Sequence, residues 1–291
     1  MTPFEIVTPA SLAEAASLLD PEDTAVRPVG GATALMLMMK AGIFQPTRLV
    51  SLRAVEPRFR TIETLADGSL RIGAVATLAA IGAHPAVRAG WPVLAEAMPA
   101  LANPRVRHVA TLGGHLAHAD PHMDLPPLLS ALGAKARIVG PRSDRALAVE
   151  DLCTGYYETA LARDELIAEV IVPPLGPRYA AYRKVTTRAA DDWPALGIAV
   201  VLEGGRESIR AASLFLGAAT DRPTRLRAAE AALAGRAPDD ATLAAAGEAA
   251  AAEIDIAGDA HGSAAYKKAL LAVHLGRAVR AALDAGPGGT R

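Results

Sequence analysis

Two glycine pairs, each close to a threonine, restrict the fold of this chain more than any other feature of its sequence. Gly30-Gly31 lies between a predicted strand at residues 24–28 and a predicted helix at residues 34–41, and Gly113-Gly114 follows Thr111. Glycines at such positions let the backbone approach a ligand closely, and successive N–H groups at a helix start can receive a phosphate. A tight turn that needs a positive φ is the other explanation for the first pair, which lacks the Gly-x-Gly-x-x-Gly spacing of dinucleotide sites.

The order of predicted elements indicates an α+β protein with two domains. Helix, strand, glycine turn, helix and strand alternate at the start, and a mixed segment continues to about residue 175. Three strands follow, at residues 182–185, 196–203 and 209–217, and the chain is mainly helical after Pro223. We therefore predict a first domain over residues 1–175, with subdomains at about 1–55 and 56–175. A small second domain over residues 178–285 is expected to hold a three-stranded antiparallel sheet and helices.

Composition excludes several classes of partner. The net charge of -1 gives no reason to expect nucleic acid or an anionic membrane. The longest apolar stretch, residues 32–39, is far shorter than the about 20 residues that span a bilayer. The single cysteine, Cys153, can form no internal disulfide and cannot hold a cysteine-ligated iron–sulfur cluster. Together with the absence of a secretory signal pattern at the start, this predicts a cytoplasmic protein without a membrane span.

A histidine-rich segment between residues 115 and 124 suggests a rival function. His115, His118 and His122, with Asp120 or Asp124, could ligate a divalent metal. Pro121 interrupts any helix across the segment, so the spacing does not bring two rings side by side, and ordinary loop residues are the simpler interpretation of His118 and His122. We predict no metal site, but a non-enzymatic protein that binds a metal or a partner through this segment remains an alternative.

The sequence offers no convincing catalytic group. Cys153 lies in an acidic and apolar setting that would not lower the pKa of its thiol, and neither a Gly-x-Ser-x-Gly elbow nor a Walker loop is present. Phosphate-binding loops without a catalytic acid, base or nucleophile indicate that a cofactor carries the chemistry. We therefore predict no catalytic residue in this chain.

An ordered set of motifs resembles the FAD-binding medium subunit of the xanthine dehydrogenase and carbon monoxide dehydrogenase family. Gly30-Gly31-Ala32-Thr33 is similar to its first flavin motif, and residues 106–114 with residues 119–126 are similar to its second. Residues 155–161 and 182–192 resemble the end of the flavin domain and the entrance to the C-terminal domain. Leu216-Gly217-Ala218 fits that second domain, so the resemblance covers nearly the whole chain.

The resemblance implies a fold, a function and partners. The fold would be the two-subdomain FAD-binding fold of the vanillyl-alcohol-oxidase (PCMH) type, followed by the small α+β domain. FAD would be held non-covalently, while a large subunit carries the molybdenum cofactor and a small subunit carries two [2Fe-2S] clusters. The chain would pass electrons from those clusters through FAD to an external acceptor, within a dimer of heterotrimers. A self-sufficient flavin oxidase is the alternative, but it needs a general base, and no candidate is evident.

The same resemblance implies the cofactor-binding residues. The first loop would wrap the pyrophosphate, with a hydroxyl from Thr33, and Asp124 would lie near the adenosine part. Leu101, Ala102, Ala117, Ile167 and Lys184 would line the flavin. The full expected set is Val29, Gly30, Gly31, Ala32, Thr33, Ala34, Leu35, Thr77, Leu101, Ala102, Ala110, Thr111, Gly113, Gly114, His115, Ala117, Met123, Asp124, Ile167 and Lys184.

Two positions depart from the family pattern. Ala32 and Ala34 stand where relatives often have polar side chains, so fewer side-chain bonds to the cofactor are expected there. His115 replaces a common asparagine. Asparagine and histidine can each donate a hydrogen bond, but only histidine can change charge near neutral pH.

Overall fold

The computed structural model describes residues 3–289 and contains three main sheets surrounded by helices. The strands are β1 (Glu5–Val7), β2 (Val26–Val29), β3 (Arg48–Ser51), β4 (Ile62–Thr64), β5 (Leu70–Gly73), β6 (Lys135–Gly140), β7 (Ser143–Ala148), β8 (Cys153–Gly155), β9 (Glu158–Thr159), β10 (Leu166–Val172), β11 (Tyr179–Thr186), β12 (Pro194–Gly204), β13 (Ile209–Gly217) and β14 (Thr224–Arg225). The α-helices are α1 (Leu12–Ser17), α2 (Thr33–Lys40), α3 (Leu78–Ala83), α4 (Pro85–Gly90), α5 (Pro92–Ala97), α6 (Pro104–Arg107), α7 (Leu112–His118), α8 (Leu125–Ala131), α9 (Arg227–Leu233), α10 (Asp240–Glu253) and α11 (Ala264–Ala285).

The N-terminal sheet is parallel, with strand order β1-β3-β2. Helix α1 begins after Ser11, because the Ser11 hydroxyl accepts the Glu14 N–H at 3.1 Å. The Glu14 carboxylate in turn accepts the Ala10 N–H at 2.8 Å, which completes a reciprocal cap. Strand β2 runs directly into Gly30-Gly31, so this sheet delivers the first glycine pair to one of its ends.

The middle sheet is antiparallel and has the strand order β4-β5-β10-β6-β7. Strand β10 enters between β5 and β6, with Val170 opposite Ile72 and Ile167 opposite Ile138. Helices α3 to α8 pack against this sheet around a core that includes Leu112, Leu116 and Leu128. The second glycine pair starts α7, so it is fixed to this core.

The C-terminal sheet has the order β11-β12-β13-β14 and is antiparallel throughout. The three predicted strands are present, and the sheet has a fourth that was not predicted, because the two-residue strand β14 pairs with β13. Strand β12 is buried on both faces. Alternate side chains point to opposite sides of a strand, so each face of β12 can pack on a different core. Ile198 and Val200 face the core made with α9 to α11, whereas Ala199 and Val201 join the core of the middle sheet.

No helix within residues 3–289 combines the length and apolar character needed to cross a bilayer.

Candidate functional site

The two glycine pairs meet across the junction of the N-terminal and middle sheets. A Cβ on Gly30 would lie 2.5 Å from the Thr111 Oγ1, and one on Gly31 would lie 2.0 Å from the Val109 carbonyl oxygen. Only glycine fits such an approach. The positive φ proposed for the first pair is absent from both glycines and occurs at the next residue, Ala32, whose φ is 59°. Close approach to the Thr111 side chain at Gly30, and to the Val109 backbone at Gly31, is therefore the reason for these glycines.

The first loop leaves backbone donors free at the start of α2. Ala32 precedes this helix and provides no side-chain cap, and the N–H groups of Thr33, Ala34 and Leu35 have no acceptor among residues 3–289. Ala32 also holds the left-handed conformation that L-residues rarely adopt, a strain that clusters at ligand sites. Free amides at a helix start form an anion-binding site.

The second loop is different, because its backbone donors are already used. The Gly113 N–H donates to the Ala74 carbonyl at 2.8 Å, and the Leu112 N–H donates to the Ala76 carbonyl at 3.0 Å. The Thr111 hydroxyl caps α7 by accepting the Gly114 N–H at 3.3 Å. The two glycine loops therefore differ: the first has free N–H groups, whereas the second uses its own within the fold and provides space.

A cleft of about 370 Å³ lies between the two loops, within the usual range for ligand sites. Most of the residues predicted from the sequence line it: Val29, Gly31, Ala32, Thr33, Ala34, Leu35, Ala110, Thr111, Gly113, Gly114, His115, Ala117, Met123 and Ile167. Gly30 and Thr77 stand behind this lining. Gly30 packs on Thr111, and the Thr77 hydroxyl caps α3 by accepting the Ala80 N–H at 3.2 Å.

The four other predicted residues, Leu101, Ala102, Asp124 and Lys184, form a separate group beside the cleft. The Lys184 Nζ donates to the Ala100 carbonyl at 2.8 Å and to the Asp124 Oδ2 at 3.1 Å. Burial raises the pKa of Asp124, although Lys184 and the Tyr182 hydroxyl, 2.7 Å from the Asp124 Oδ1, oppose the shift. Asp124 and Lys184 therefore cannot serve the opposite ends of an extended cofactor, as the separate adenosine and flavin roles would require.

The turn at residues 99–102 is held in a strained conformation by a guanidinium group. The Arg107 Nη1 donates to the carbonyl of Pro99 at 3.1 Å, to that of Leu101 at 3.3 Å and also to that of Ala102. Ala102 has a φ of 55°, so these bonds hold a left-handed residue in place.

His115 is buried and uncharged. Its residue is 8% exposed, and burial, followed by the nearby His118, lowers its pKa to about 3. The possibility that His115 changes charge near neutral pH is therefore wrong for the ligand-free chain. Its Nε2 has no hydrogen-bond partner among the described residues, although an unpaired buried nitrogen is costly. Because the residue lines the cleft, this nitrogen fits a ligand atom.

His122 lies in the loop between α7 and α8, and its ring is held there by two carboxylates. Its Nδ1 lies 3.0 Å from the Asp120 Oδ1 and its Nε2 lies 2.9 Å from the Asp259 Oδ2, so it joins the middle sheet region to the C-terminal helices. Burial opposes its protonation, but the two carboxylates outweigh burial and raise the pKa of His122. His118 ends α7 and lines the cleft. Residues 3–289 contain no group of three side chains arranged to hold a metal ion.

Sequence reasoning missed part of the cleft wall. The additional lining residues are Arg27, Pro28, Met38, Phe44, Leu52, His118, Tyr157, Thr159, Leu161, Ala162, Arg163, Glu165 and Leu166. Arg27 and Pro28 stand just before Val29 and the first glycine pair, so their position was a usable signal. Residues 162–166 carry no local signal, since they reach the cleft only through the path of the chain into β10, and the motif at residues 155–161 did not assign its members to the cleft.

Cys153 is buried, and burial raises the pKa of its thiol to about 11. As expected, the setting of Cys153 does not lower the pKa of its thiol.

Comparison with known proteins agrees with the geometry of the two loops. A family model described as the FAD binding domain in molybdopterin dehydrogenase matches residues 2–175, and one described as the CO dehydrogenase flavoprotein C-terminal domain matches residues 180–282. The carbon monoxide dehydrogenase medium chain of Afipia carboxidovorans is 33% identical over 96% of both chains. The nicotine 6-hydroxylase medium subunit of Paenarthrobacter nicotinovorans is 32% identical over 91% of this chain and 92% of the relative.

Solved structures give the same result. A chain of carbon monoxide dehydrogenase from Hydrogenophaga pseudoflava superposes with a TM-score of 0.93 at 33% identity, covering 98% of this chain and 100% of the other. A chain of quinoline 2-oxidoreductase from Pseudomonas putida 86 gives a TM-score of 0.91 at 28% identity, with coverage of 97% and 98%. The fold and the cleft thus define a flavoprotein component of a molybdenum-dependent oxidoreductase. The chain belongs to the family of FAD-binding medium subunits of molybdopterin dehydrogenases.

Proposed function

We propose that this chain binds FAD non-covalently in the cleft between its two glycine loops and serves as the electron-exit subunit of a molybdenum hydroxylase. The observation that carries the proposal is the combination of free amides at Thr33, Ala34 and Leu35 with the unpaired Nε2 of His115 on the wall of one cleft. The free amides match an anionic group of a ligand, and the Nε2 of His115 matches a hydrogen-bonding atom of the same ligand. FAD has its diphosphate and its flavin ring for these two roles.

The residues divide the work of holding FAD. The start of α2 would bind the diphosphate, and the glycines Gly31 and Gly114 would let it lie against the backbone. We reassign Asp124 from the adenosine part to the flavin end, because it is bonded to Lys184. The other predicted residues keep the roles given by the family resemblance.

When bound, FAD supplies the capacity to accept electrons from one partner and release them to another. The chain's own residues bind the flavin, orient it and exclude water around it. Arg107 and Lys184 fix the turn that carries Leu101 against the flavin end. His115 remains neutral and offers one hydrogen bond without placing a positive charge beside the cofactor. No residue of this chain is assigned a catalytic proton transfer.

The finer features of the family assignment are part of the proposal. We assign residues 1–175 to a vanillyl-alcohol-oxidase (PCMH) type FAD domain, with subdomains at about 1–55 and 56–175, and residues 178–285 to the C-terminal domain. The chain would work in the cytoplasm. Its partners would be a large molybdopterin-binding subunit and a small subunit with [2Fe-2S] clusters, in a dimer of heterotrimers. Relatives described as medium chains or medium subunits support the division of labour among subunits.

Fluorescence titration of the flavin-stripped chain tests the function directly. Wild-type protein should quench FAD fluorescence tightly and FMN fluorescence weakly. Gly114→Val should abolish FAD binding while the fold survives, because a Cβ there meets only the Thr111 hydroxyl, at 3.0 Å, and the rest of the side chain would fill the cleft.

Gly90→Ala is the matched control, since a Cβ at Gly90 meets nothing within 4 Å. It should bind FAD like the wild type. A folded Gly114→Val protein with normal FAD content would refute the placement of the cofactor between the loops.

A further inference from the structure

Two arginines face the same cleft from different parts of the fold. Arg27 lies on β2 of the N-terminal sheet, and Arg163 lies in the connection that leads into β10 of the middle sheet. Both line the cleft beside the first glycine loop. In sequence, Arg27 stands three residues before Gly30, the start of the first glycine loop.

These two guanidinium groups have no compensating negative charge. Neither forms an ion pair with a carboxylate of residues 3–289; Arg163 donates only to the Pro21 carbonyl at 3.4 Å, and Arg27 lies over the Phe44 ring at 5.5 Å. They also repel each other: burial lowers the pKa of Arg27, and the charge of Arg163 lowers it further.

The acid nearest in the wall does not change this balance. Glu165 lines the cleft, but the Arg145 Nη2 and Nε lie 2.7 Å and 3.0 Å from its two carboxylate oxygens. The Arg145 side chain holds the pKa of Glu165 at about 2, so this carboxylate is paired with another cation. Arg27 and Arg163 therefore give the cleft a positive charge that no carboxylate among residues 3–289 neutralises.

We propose that Arg27 and Arg163 form a clamp that binds the diphosphate of the ADP half of FAD from opposite walls of the cleft. This inference rests on the proposed function and deepens it. The free amides of α2 bind one side of the diphosphate, and the guanidinium groups neutralise its charge, since arginine matches phosphate oxygens in geometry and charge. Binding of the anion offsets the repulsion between the two arginines. The clamp selects a dinucleotide over a mononucleotide flavin.

The experiment uses the full-length, flavin-stripped chain and measures the competition of ADP, inorganic pyrophosphate and adenosine with FAD. ADP should displace FAD and raise the melting temperature, pyrophosphate should do so more weakly, and adenosine should have little effect. The affinity for ADP should fall as salt is increased, because the attraction between exposed charges is screened.

Arg27→Gln and Arg163→Gln should each weaken ADP and FAD binding about tenfold, and the double variant should lose most of the salt dependence. Arg210→Gln, which replaces an exposed arginine at the start of β13, is the control and should leave all affinities unchanged. Circular dichroism should show that the variants are folded, since neither arginine has an ion pair to lose.

The possible failures are distinguishable. If the wild type binds FAD but the folded double variant retains its affinity for ADP, the clamp is wrong and the FAD function stands. If adenosine competes as well as ADP, recognition is through the base and the clamp is also wrong. If the wild type binds neither FAD nor ADP, the proposed function fails and the clamp falls with it.

Discussion

At His115 the requirements of the apoprotein and of the ligand conflict. An unpaired buried nitrogen costs about 1–3 kcal/mol, and His115 leaves its Nε2 unpaired. We predict that His115→Leu leaves the melting temperature of the flavin-free chain unchanged or raises it, while FAD affinity falls about tenfold because one hydrogen bond is lost. Thermal melts and fluorescence titration of the same samples measure both quantities. A large loss of stability would show that His115 is needed by the fold and not by the ligand.

The charge state of His115 gives a second, independent prediction. With a pKa of about 3, the ring is neutral throughout the range from pH 5 to pH 8. The contribution of this residue to FAD affinity should therefore be constant over that range. The ratio of dissociation constants for the wild type and for His115→Asn, which keeps a donor, should not change with pH. A ratio that follows a titration near pH 6.5 would contradict the burial of this ring.

Gly31 tests the contact between the two loops. A Cβ at this position would lie 2.0 Å from the Val109 carbonyl, which belongs to backbone and cannot move aside. We expect Gly31→Ala to lower the free energy of unfolding by more than about 2 kcal/mol and to abolish FAD binding. Denaturant unfolding is the measurement. Equal stability of Gly31→Ala and Gly90→Ala would mean that the loops do not meet as described.

At the scale of the element, the turn at residues 99–102 depends on Arg107 rather than on its own sequence. We predict that Arg107→Ala lowers the free energy of unfolding by about 1–2 kcal/mol, since three carbonyl oxygens lose their donor. The absorption and circular dichroism of bound FAD should also shift, because the turn carries Leu101 to the flavin end. Arg105→Ala, which removes an exposed arginine from the same helix, should change neither. An unchanged flavin spectrum in Arg107→Ala would place the flavin elsewhere.

The elements that could be predicted from the sequence are those with local signals. The cap at Ser11, the glycine with a φ of 74° after α8 at Gly133, and strand β13 follow from side-chain spacing and turn residues near each element. The position of β10 between β5 and β6 does not, since it joins strands far apart in the chain and no periodicity identifies a strand's partner.

Residues of the site could likewise be predicted where their motif is local in sequence, and not where strand pairing brings them to the cleft. The glycine loops were found because their motifs are contiguous, and Arg163 was missed because it reaches the cleft only through the pairing of β10. His122 likewise gains its second carboxylate, Asp259, from a residue 137 positions later. Its position between two acids therefore could not be predicted from the segment that contains it.

At the scale of the whole molecule, a chain of hydrogen-bonded polar groups connects the cleft to the C-terminal helices. The Tyr157 hydroxyl donates to the Asp120 Oδ2 at 2.7 Å, and Asp120 is bonded to His122, which is bonded to Asp259. Asp259 also accepts from the Lys267 Nζ at 2.7 Å, and Lys267 is fully buried near the start of α11. Trp193 stacks on the His122 ring with a centroid distance of 5.1 Å. The two halves of the chain are thus joined by charge as well as by the shared apolar core.

This connection should make the stability of the molecule depend on pH through His122. Its pKa is raised above the unfolded value of about 6.5, so its stabilising charge is fully present below pH 6.5 and is lost as the pH rises through the higher folded pKa. We expect His122→Asn to cost about 1–2 kcal/mol at pH 6, and the difference from the wild type to shrink at higher pH, where Lys267 alone still pairs with Asp259. Denaturant unfolding at a series of pH values measures this difference, with the exposed His108→Asn as the control. A difference that is constant or grows with pH would show that His122 is neutral in the folded protein and joins the two halves by packing alone.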